Sequence, residues 1–324
     1  MSHRANFVVV DEEGWRLYYG RWSATRIREI LIGGPVSATQ TIWVDDLCED
    51  RENDWLDDVW AEAGAVVDHT ARRLHFYGWV ELYALPDRRA YLRFLELTWP
   101  GWEIRWAYGR LAELAATVGV KLRTEQPYEW ELAEPLKTGS QWVRHLLTVR
   151  DADGELTVYP LTDPYRHPAW RGPALLERLP EQGLREVELS EWPTGGGLHV
   201  DVQERTVEAW VSCTAGSMVS RLAERWPGWR VRFCGDRFEE QEARCGGAVT
   251  FPVLDLKAAL RELAESMRGI YKRDPMARLL DEVLRITEPD TEPGPGSAAR
   301  RRIEPTPEEW AALQRAAAEL NERL

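Results

Sequence analysis

Tyr91, Leu92, Leu95 and Trp99 recur at the spacing of one helix face, and Met218, Val219, Leu222 and Trp226 repeat the same offsets later in the chain. Each set runs into the same four residues, Trp-Pro-Gly-Trp, at Trp99 to Trp102 and again at Trp226 to Trp229. Proline cannot extend a helix, and glycine takes the positive φ that reverses the chain at little cost, so both helices are expected to stop there. Beyond each stop, Trp102, Ile104 and Trp106 alternate with Glu103 and Arg105, while Trp229, Val231 and Phe233 alternate with Arg230 and Arg232. That is the period of a half-buried strand. Amphipathic segments from about Tyr108 to Val118 and from about Asp236 to Arg244 then predict two more helices.

The same doubling reaches back toward the start of each unit. Phe7 to Val10 and Trp15 to Tyr19 flank a turn ending in Gly14, as Leu146 to Val149 and Leu156 to Tyr159 flank one ending in Gly154. A second hairpin joins Val67-Asp68 to Leu74 through Tyr77, and its counterpart joins Val200-Asp201 to Val207 through Trp210. The pattern predicts an α+β fold of two pseudo-symmetric lobes from an internal duplication, each a mostly antiparallel sheet of about five strands with two or three helices, plus a helical C-terminal extension. Lobe one is placed at 1–125, a linker at 126–139 and lobe two at 140–250. C-terminal helices follow at 254–286, a flexible Pro-Gly linker at 287–305 and a terminal helix at 306–324.

The first hairpins differ in what they show to solvent. In lobe two, Leu147, Val149, Leu156 and Val158 read as one face and Thr148, Arg150, Glu155 and Thr157 as the other. The matching outer positions of lobe one are Val8, Val10, Trp15 and Leu17, so that face needs a cover: the C-terminal helices, the other lobe or a partner.

Composition narrows the class. With 44% hydrophobic residues and 17 tryptophans the chain can bury sizeable cores, and a net charge of −13 disfavours attraction to nucleic acid or anionic membranes. No apolar run of membrane-spanning length occurs, and Cys48, Cys213, Cys234 and Cys245 form no paired-cysteine motif. The expectation is a cytoplasmic protein with free thiols, no cofactor and no metal.

Candidate chemistry is sparse. Nine carboxylates and one arginine between Asp45 and Glu62 suggest a cation site, but Trp55, Leu56, Val59 and Trp60 fit one helix face with the acids as its solvated side, and no glycine-containing calcium loop is present. Phosphate loops, dinucleotide glycines, nucleophile elbows and zinc-helix patterns are missing. Pairing across the Asp11 to Gly14 turn puts Asn6 opposite Tyr19 and Arg4 opposite Arg21, with His3 nearby. Two arginines so placed call for an anion between them, and these five residues form the candidate anion-binding set, against a competing reading as salt bridges to the acidic stretch. His69 and His75 flank the second hairpin as weaker acid-base candidates. The terminal helix, opened by Thr306, Pro307 and Glu309, would dock through Trp310, Leu313 and Leu320, the candidate partner-binding residues. The leading expectation is a non-enzymatic protein-binding module of regulatory or immunity-protein type. The alternative is an enzyme acting on an anionic small molecule or nucleotide through lobe one.

Overall fold

The computed structural model describes residues 3–57, 60–78, 82–124, 129–163, 166–259 and 261–262, with 307, 308, 311 and 315 near the C terminus. The first part of the chain forms β1 (Arg4–Asp11), β2 (Gly14–Gly20), a 3-10 turn (Ser23–Arg26), α1 (Ile27–Ile32), α2 (Pro35–Ile42) and β3 (Asp46–Leu47). It continues through β4 (Ala61–Asp68), β5 (Arg73–Gly78), α3 (Leu85–Thr98), β6 (Glu103–Trp106) and α4 (Arg110–Thr117). After α5 (Glu129–Ala133) come β7 (His145–Arg150), β8 (Leu156–Leu161), a kinked 3-10 segment (Pro168–Arg178) and β9 (Val187–Glu188). The last elements are β10 (Gly196–Asp201), β11 (Thr206–Trp210), α6 (Met218–Arg225), β12 (Arg230–Phe233), α7 (Phe238–Cys245) and β13 (Val249–Thr250).

These strands make a six-stranded sheet, β3-β2-β1-β4-β5-β6, a five-stranded sheet, β12-β11-β10-β7-β8, and a small β13-β9 pair. The fold is α+β, and both large sheets are mixed, not purely antiparallel: antiparallel pairings are three of five in the first and two of four in the second. Each hairpin is antiparallel, while β1 pairs with β4, β5 with β6, β7 with β10 and β11 with β12 in parallel. Alternating burial specifies which face a residue occupies and says nothing of strand direction; the helical connections between strands bring the chain back to the starting end, which makes those pairs parallel.

The two Trp-Pro-Gly-Trp segments have closely similar geometry. Trp99 and Trp226 are buried at the ends of α3 and α6, and each indole Nε1 donates to a backbone carbonyl: Leu31 O at 2.7 Å and Ala169 O at 2.8 Å. Gly101 and Gly228 take φ of +79° and +78°, a region open to glycine. Trp102 and Trp229 then pack edge-on against the preceding tryptophan at 5.0 and 5.2 Å between ring centroids and lead directly into β6 and β12. A second likeness lies under the helices that follow. A Cβ on Gly64 of β4 would meet Leu114 Cδ1 of α4 at 2.9 Å, and one on Gly197 of β10 would meet Gln241 Oε1 of α7 at 2.2 Å, so each helix is seated against a strand glycine.

Three expectations are corrected. The turn between β7 and β8 pairs Arg150 with Leu156, whereas Asp11 pairs with Gly14. The longer turn slips the register, and a one-residue slip moves every side chain to the other face. Leu156 and Val158 therefore share a face with Arg150 and Thr148 instead of with Leu147 and Val149. Next, the apolar outer face of the first hairpin is covered from within its own sheet: Val8 and Leu17 are buried in the cluster that includes Leu111 and Leu114 of α4. Beside it, Arg51 lies over the Trp15 ring, 4.7 Å from its centroid. Finally, the described residues between Asp45 and Glu62 contain no helix; they form edge strand β3 and irregular chain, and β4 begins at Ala61. Carboxylates at this density have no partners in an isolated helix, and Trp55 instead turns its Nε1 to Arg51 O at 2.8 Å.

The two sheets meet through α3 and the β6–α4 turn. Arg88, fully buried on α3, places Nη2 3.0 Å from Asp236 Oδ2 and donates through Nη1 to Ser212 O. Trp106 Nε1 donates to Cys213 O at 2.9 Å, and Tyr108 O accepts from Ala215 N and Gly216 N at 2.8 and 3.1 Å. Burial raises the Asp236 pKa, but Arg88 and Arg89 outweigh it and hold the carboxyl below its ordinary value.

Substituting Trp99 or Trp226 with alanine removes both a buried indole and its hydrogen bond and should cost about 3–5 kcal/mol in either case, read from urea midpoints. The second sheet also buries three neutral histidines. Burial brings His167 and His199 from 6.5 to about 4, and burial with the neighbouring His167 lowers His145 as well. An unfolded chain binds protons at these sites first, so their contribution is intact above about pH 6.5 and is lost as pH falls toward 4. The depressed carboxylates, Asp236 and Glu208, lose theirs only lower, through and below the ordinary carboxylate range. His199→Asn should flatten the decline of the urea midpoint between about pH 6.5 and 5; an unchanged slope would show that His199 does not drive it.

Candidate functional site

The strand ends of the first sheet collect the residues that sequence spacing brings together. β1 and β2 pair Asn6 with Tyr19 and Val10 with Trp15, and the ladder ends at Ala5 opposite Gly20, short of Arg4 and Arg21. Asn6 is buried, with Nδ2 donating to Tyr18 O at 3.2 Å and Oδ1 accepting from Leu56 N at 2.8 Å. Its amide thus ties the irregular acidic segment to the sheet, with the nitrogen and the oxygen each engaged by backbone. His3 places Nδ1 2.6 Å from Glu62 Oε2, a hydrogen bond to the acidic stretch, and its ring lies 6.3 Å from that of Trp22. Arg4 sits over the Trp60 ring at 5.4 Å. Tyr19 is half-buried and Arg21 exposed. Of the five candidates, then, Asn6 and His3 are held by protein groups and Arg4 lies on an aromatic ring.

What surrounds them is more telling. Tyr19 pairs with Asp46 and Tyr18 with Leu47, which makes β3 the edge of the sheet. Ser23 Oγ donates to Asp45 Oδ2 at 2.9 Å and so joins the Trp22 turn to the chain leaving α2. Along this edge and the adjoining strand ends, Trp22, Trp43, Val44, Leu47 and Trp60 are all exposed, Leu47 and Trp60 by 59% and 61%. Asp46, Glu49, Asp50, Glu52, Asp54 and Asp57 are exposed beside them. With two residues, one of them Asp46, β3 is itself a blunted edge, and it is the exposed apolar side chains around it that leave a surface open for a partner. Sequence periodicity missed Trp22, Trp43 and Leu47 because they stand at element ends, outside any helix or strand repeat; the available signal was tryptophan directly before an acidic run.

Cys48 lies beside this edge, but burial, together with Asp54 and Asp46, pushes its thiol up to about 11, so it is no nucleophile at neutral pH. Among the described residues, no three His, Cys, Asp or Glu side chains converge as a metal-ligand set, and no helix is long and apolar enough to cross a membrane. His69 places Nε2 2.8 Å from Thr39 Oγ1, and burial lowers its pKa. Trp310, Leu313 and Leu320 lie outside the described residues.

Asn6→Ala would strand Leu56 N and Tyr18 O and should cost about 1–3 kcal/mol, whereas Arg21→Ala should change stability by less than about 0.5 kcal/mol. Equal effects in a thermal melt would contradict the latch role given to Asn6. Comparison with protein-family models, curated proteins and solved structures found no match to this chain.

Proposed function

We propose that the chain is a non-enzymatic protein-binding module, of regulatory or immunity-protein type, that engages its partner along the edge of the first sheet. The observation that carries this is the exposure of Trp22, Trp43, Val44, Leu47 and Trp60 at the edge strand and the neighbouring strand ends. Aromatic residues are enriched in the cores of protein interfaces, where a large rigid side chain buries area at small entropic cost. The carboxylates flanking them favour a partner surface that is apolar at its centre and basic at its rim. The segment 306–324, with Trp310, Leu313 and Leu320, serves in this reading as a second recognition element.

We also propose that the two sheets descend from one duplicated unit, with 126–139 as the linker between 1–125 and 140–250. Three features support it: the shared order β2-β1-β4-β5-β6 and β8-β7-β10-β11-β12, the matched Trp-Pro-Gly-Trp geometry, and the strand glycine under each following helix.

A photo-crosslinking residue at Trp43 should give a discrete adduct in lysate of the source cells, and the same residue at exposed Glu204 on the second sheet should not. The adduct's partner, purified, should bind the wild-type chain and lose at least about tenfold affinity for a Trp43→Arg, Leu47→Arg variant of unchanged melting temperature. Equal labelling at Glu204, or full affinity of the double variant, would refute the edge as the docking surface.

A further inference from the structure

The acidic stretch beside the aromatic edge lacks the cations that carboxylates elsewhere on the surface meet. It runs back along β2, with Cys48 N donating to Leu17 O at 2.9 Å and Arg51 Nη1 to Trp15 O at 2.8 Å, before Leu56 N returns to Asn6. On other faces exposed carboxylates hold arginines: Glu103 with Arg73 at 2.8 Å, Glu204 with Arg230 at 3.1 Å, and Glu155 with Arg185. Asp46, Glu49, Asp50, Glu52 and Asp54 are all exposed and make no ion pair among the described residues. The arginine within the stretch, Arg51, lies over Trp15. Like charges at this density attract cations, and at physiological salt the attraction fades within about 8 Å, so a counter-charge acts only when it sits against them.

The chain carries its own counter-charge. Arg300, Arg301 and Arg302 are its only run of three cations, and Trp310, Leu313 and Leu320 follow at the spacing of one helix face. The described Glu308, Ala311 and Arg315 are helical and fall on the opposite side, the glutamate and the arginine exposed. The chain also leaves the core on the right side of the molecule. Ala258 N and Ala259 N both bond to Asp255, and Ala259 is buried. Burial and then the neighbouring Glu262 carboxylate raise the Asp87 pKa while Arg28 lowers it, which places this exit beside the start of α3 and α1. Trp22 precedes the turn that leads into α1, and α2, packed on α1, ends at Trp43. From there the stretch 263–299 reaches about 55 Å even at helical rise, against a radius of gyration of about 18 Å for a domain of about 250 residues. A segment so tethered meets the edge at an effective concentration on the order of 1 mM, which favours it over a second copy of the chain.

We propose that segment 300–320 of this chain occupies the aromatic edge in the free protein, with Arg300 to Arg302 against the carboxylates beside β2 and Trp310, Leu313 and Leu320 against Trp22, Trp43 and Leu47. This rests on the reading of the edge as a docking surface and adds its regulation. An external partner binds by displacing a tethered segment of the same chemistry, apolar in one part and basic in the other. A tail contact as weak as about 0.1 mM is then closed about nine-tenths of the time and lowers the partner's apparent affinity about tenfold.

A photo-crosslinking residue at exposed Val44 of the purified full chain, with no other protein present, reads the occupancy directly. The adduct should run as a monomer and map by mass spectrometry to residues 300–320, and the same residue at exposed Glu204 should give no such adduct. Arg300→Glu, Arg301→Glu and Arg302→Glu together should cut the yield at least about fivefold, and adding Glu49→Arg and Glu52→Arg to that variant should restore it. Melting temperatures should not change, since both glutamates are exposed. No adduct within 300–320, an equal adduct from Glu204, a yield indifferent to the arginines or not restored by the charge swap, or an adduct joining two chains would each overturn the proposal. None of these readouts uses the external partner. A lysate adduct at Trp43 without an intrachain adduct at Val44 would leave the edge a docking surface and overturn only its self-occupancy.

Discussion

The buried guanidinium of Arg88 is the contact between the two sheets on which the most depends, with Arg89, Trp106 and Tyr108 adding bonds of their own around it. A charge taken fully out of water costs several kcal/mol unless it is paired, and here Nη2 and Nη1 are taken by the Asp236 carboxylate and the Ser212 carbonyl, both on loops of the second sheet, while Nε has no hydrogen-bond partner among the described residues. Arg88 also lies 5.1 Å from the Trp106 ring, whose own N–H reaches Cys213 O, so the charge, the ring and the facing loop hold one another in place. The first sheet therefore carries on α3 a group that it cannot satisfy alone. Separation of the sheets would expose or strand that group, which makes the junction an all-or-none contact and not a hinge.

The sequence was most informative where one residue type answers to one physical demand. Trp99 and Trp226 could be read as helix-end core residues because proline stops a helix and glycine turns it, and neither rule depends on what packs nearby. The hairpins were legible for the same reason. The slip at Arg150 and Leu156 was not, because turn length sets register and the two turns end in the same glycine spacing. Strand direction was invisible too, since burial alternates identically in parallel and antiparallel pairs.

The site was less legible than the fold. Hairpin pairing correctly placed Asn6 opposite Tyr19 but could not show that the Asn6 amide is consumed by Leu56 and Tyr18, because Leu56 is brought there by irregular chain with no periodic signal. The exposed tryptophans were hidden for the opposite reason. In a chain with 17 of them, an exposed indole and a buried one look alike until the edge strand beside them is known. The contact of His75 with Glu113, 38 positions away in the sequence, was likewise beyond any local pattern.

The contrast between Leu114 over Gly64 and Gln241 over Gly197 bears on how such a chain reaches the right assembly. Two units of the same strand order in one polypeptide risk exchanging their helices during folding, a familiar trap for repeated architectures. Gln241 accepts from Trp210 Nε1 at 2.6 Å and donates to Thr148 and the Leu146 and Leu198 carbonyls, whereas the first sheet has Tyr77 at the place of Trp210, its hydroxyl already bonded to Ala61 O. If α4 docked over the second sheet, Leu114 would leave the Trp210 indole N–H buried without an acceptor. One amide thus acts as a key that makes the exchanged topology costlier than the native one.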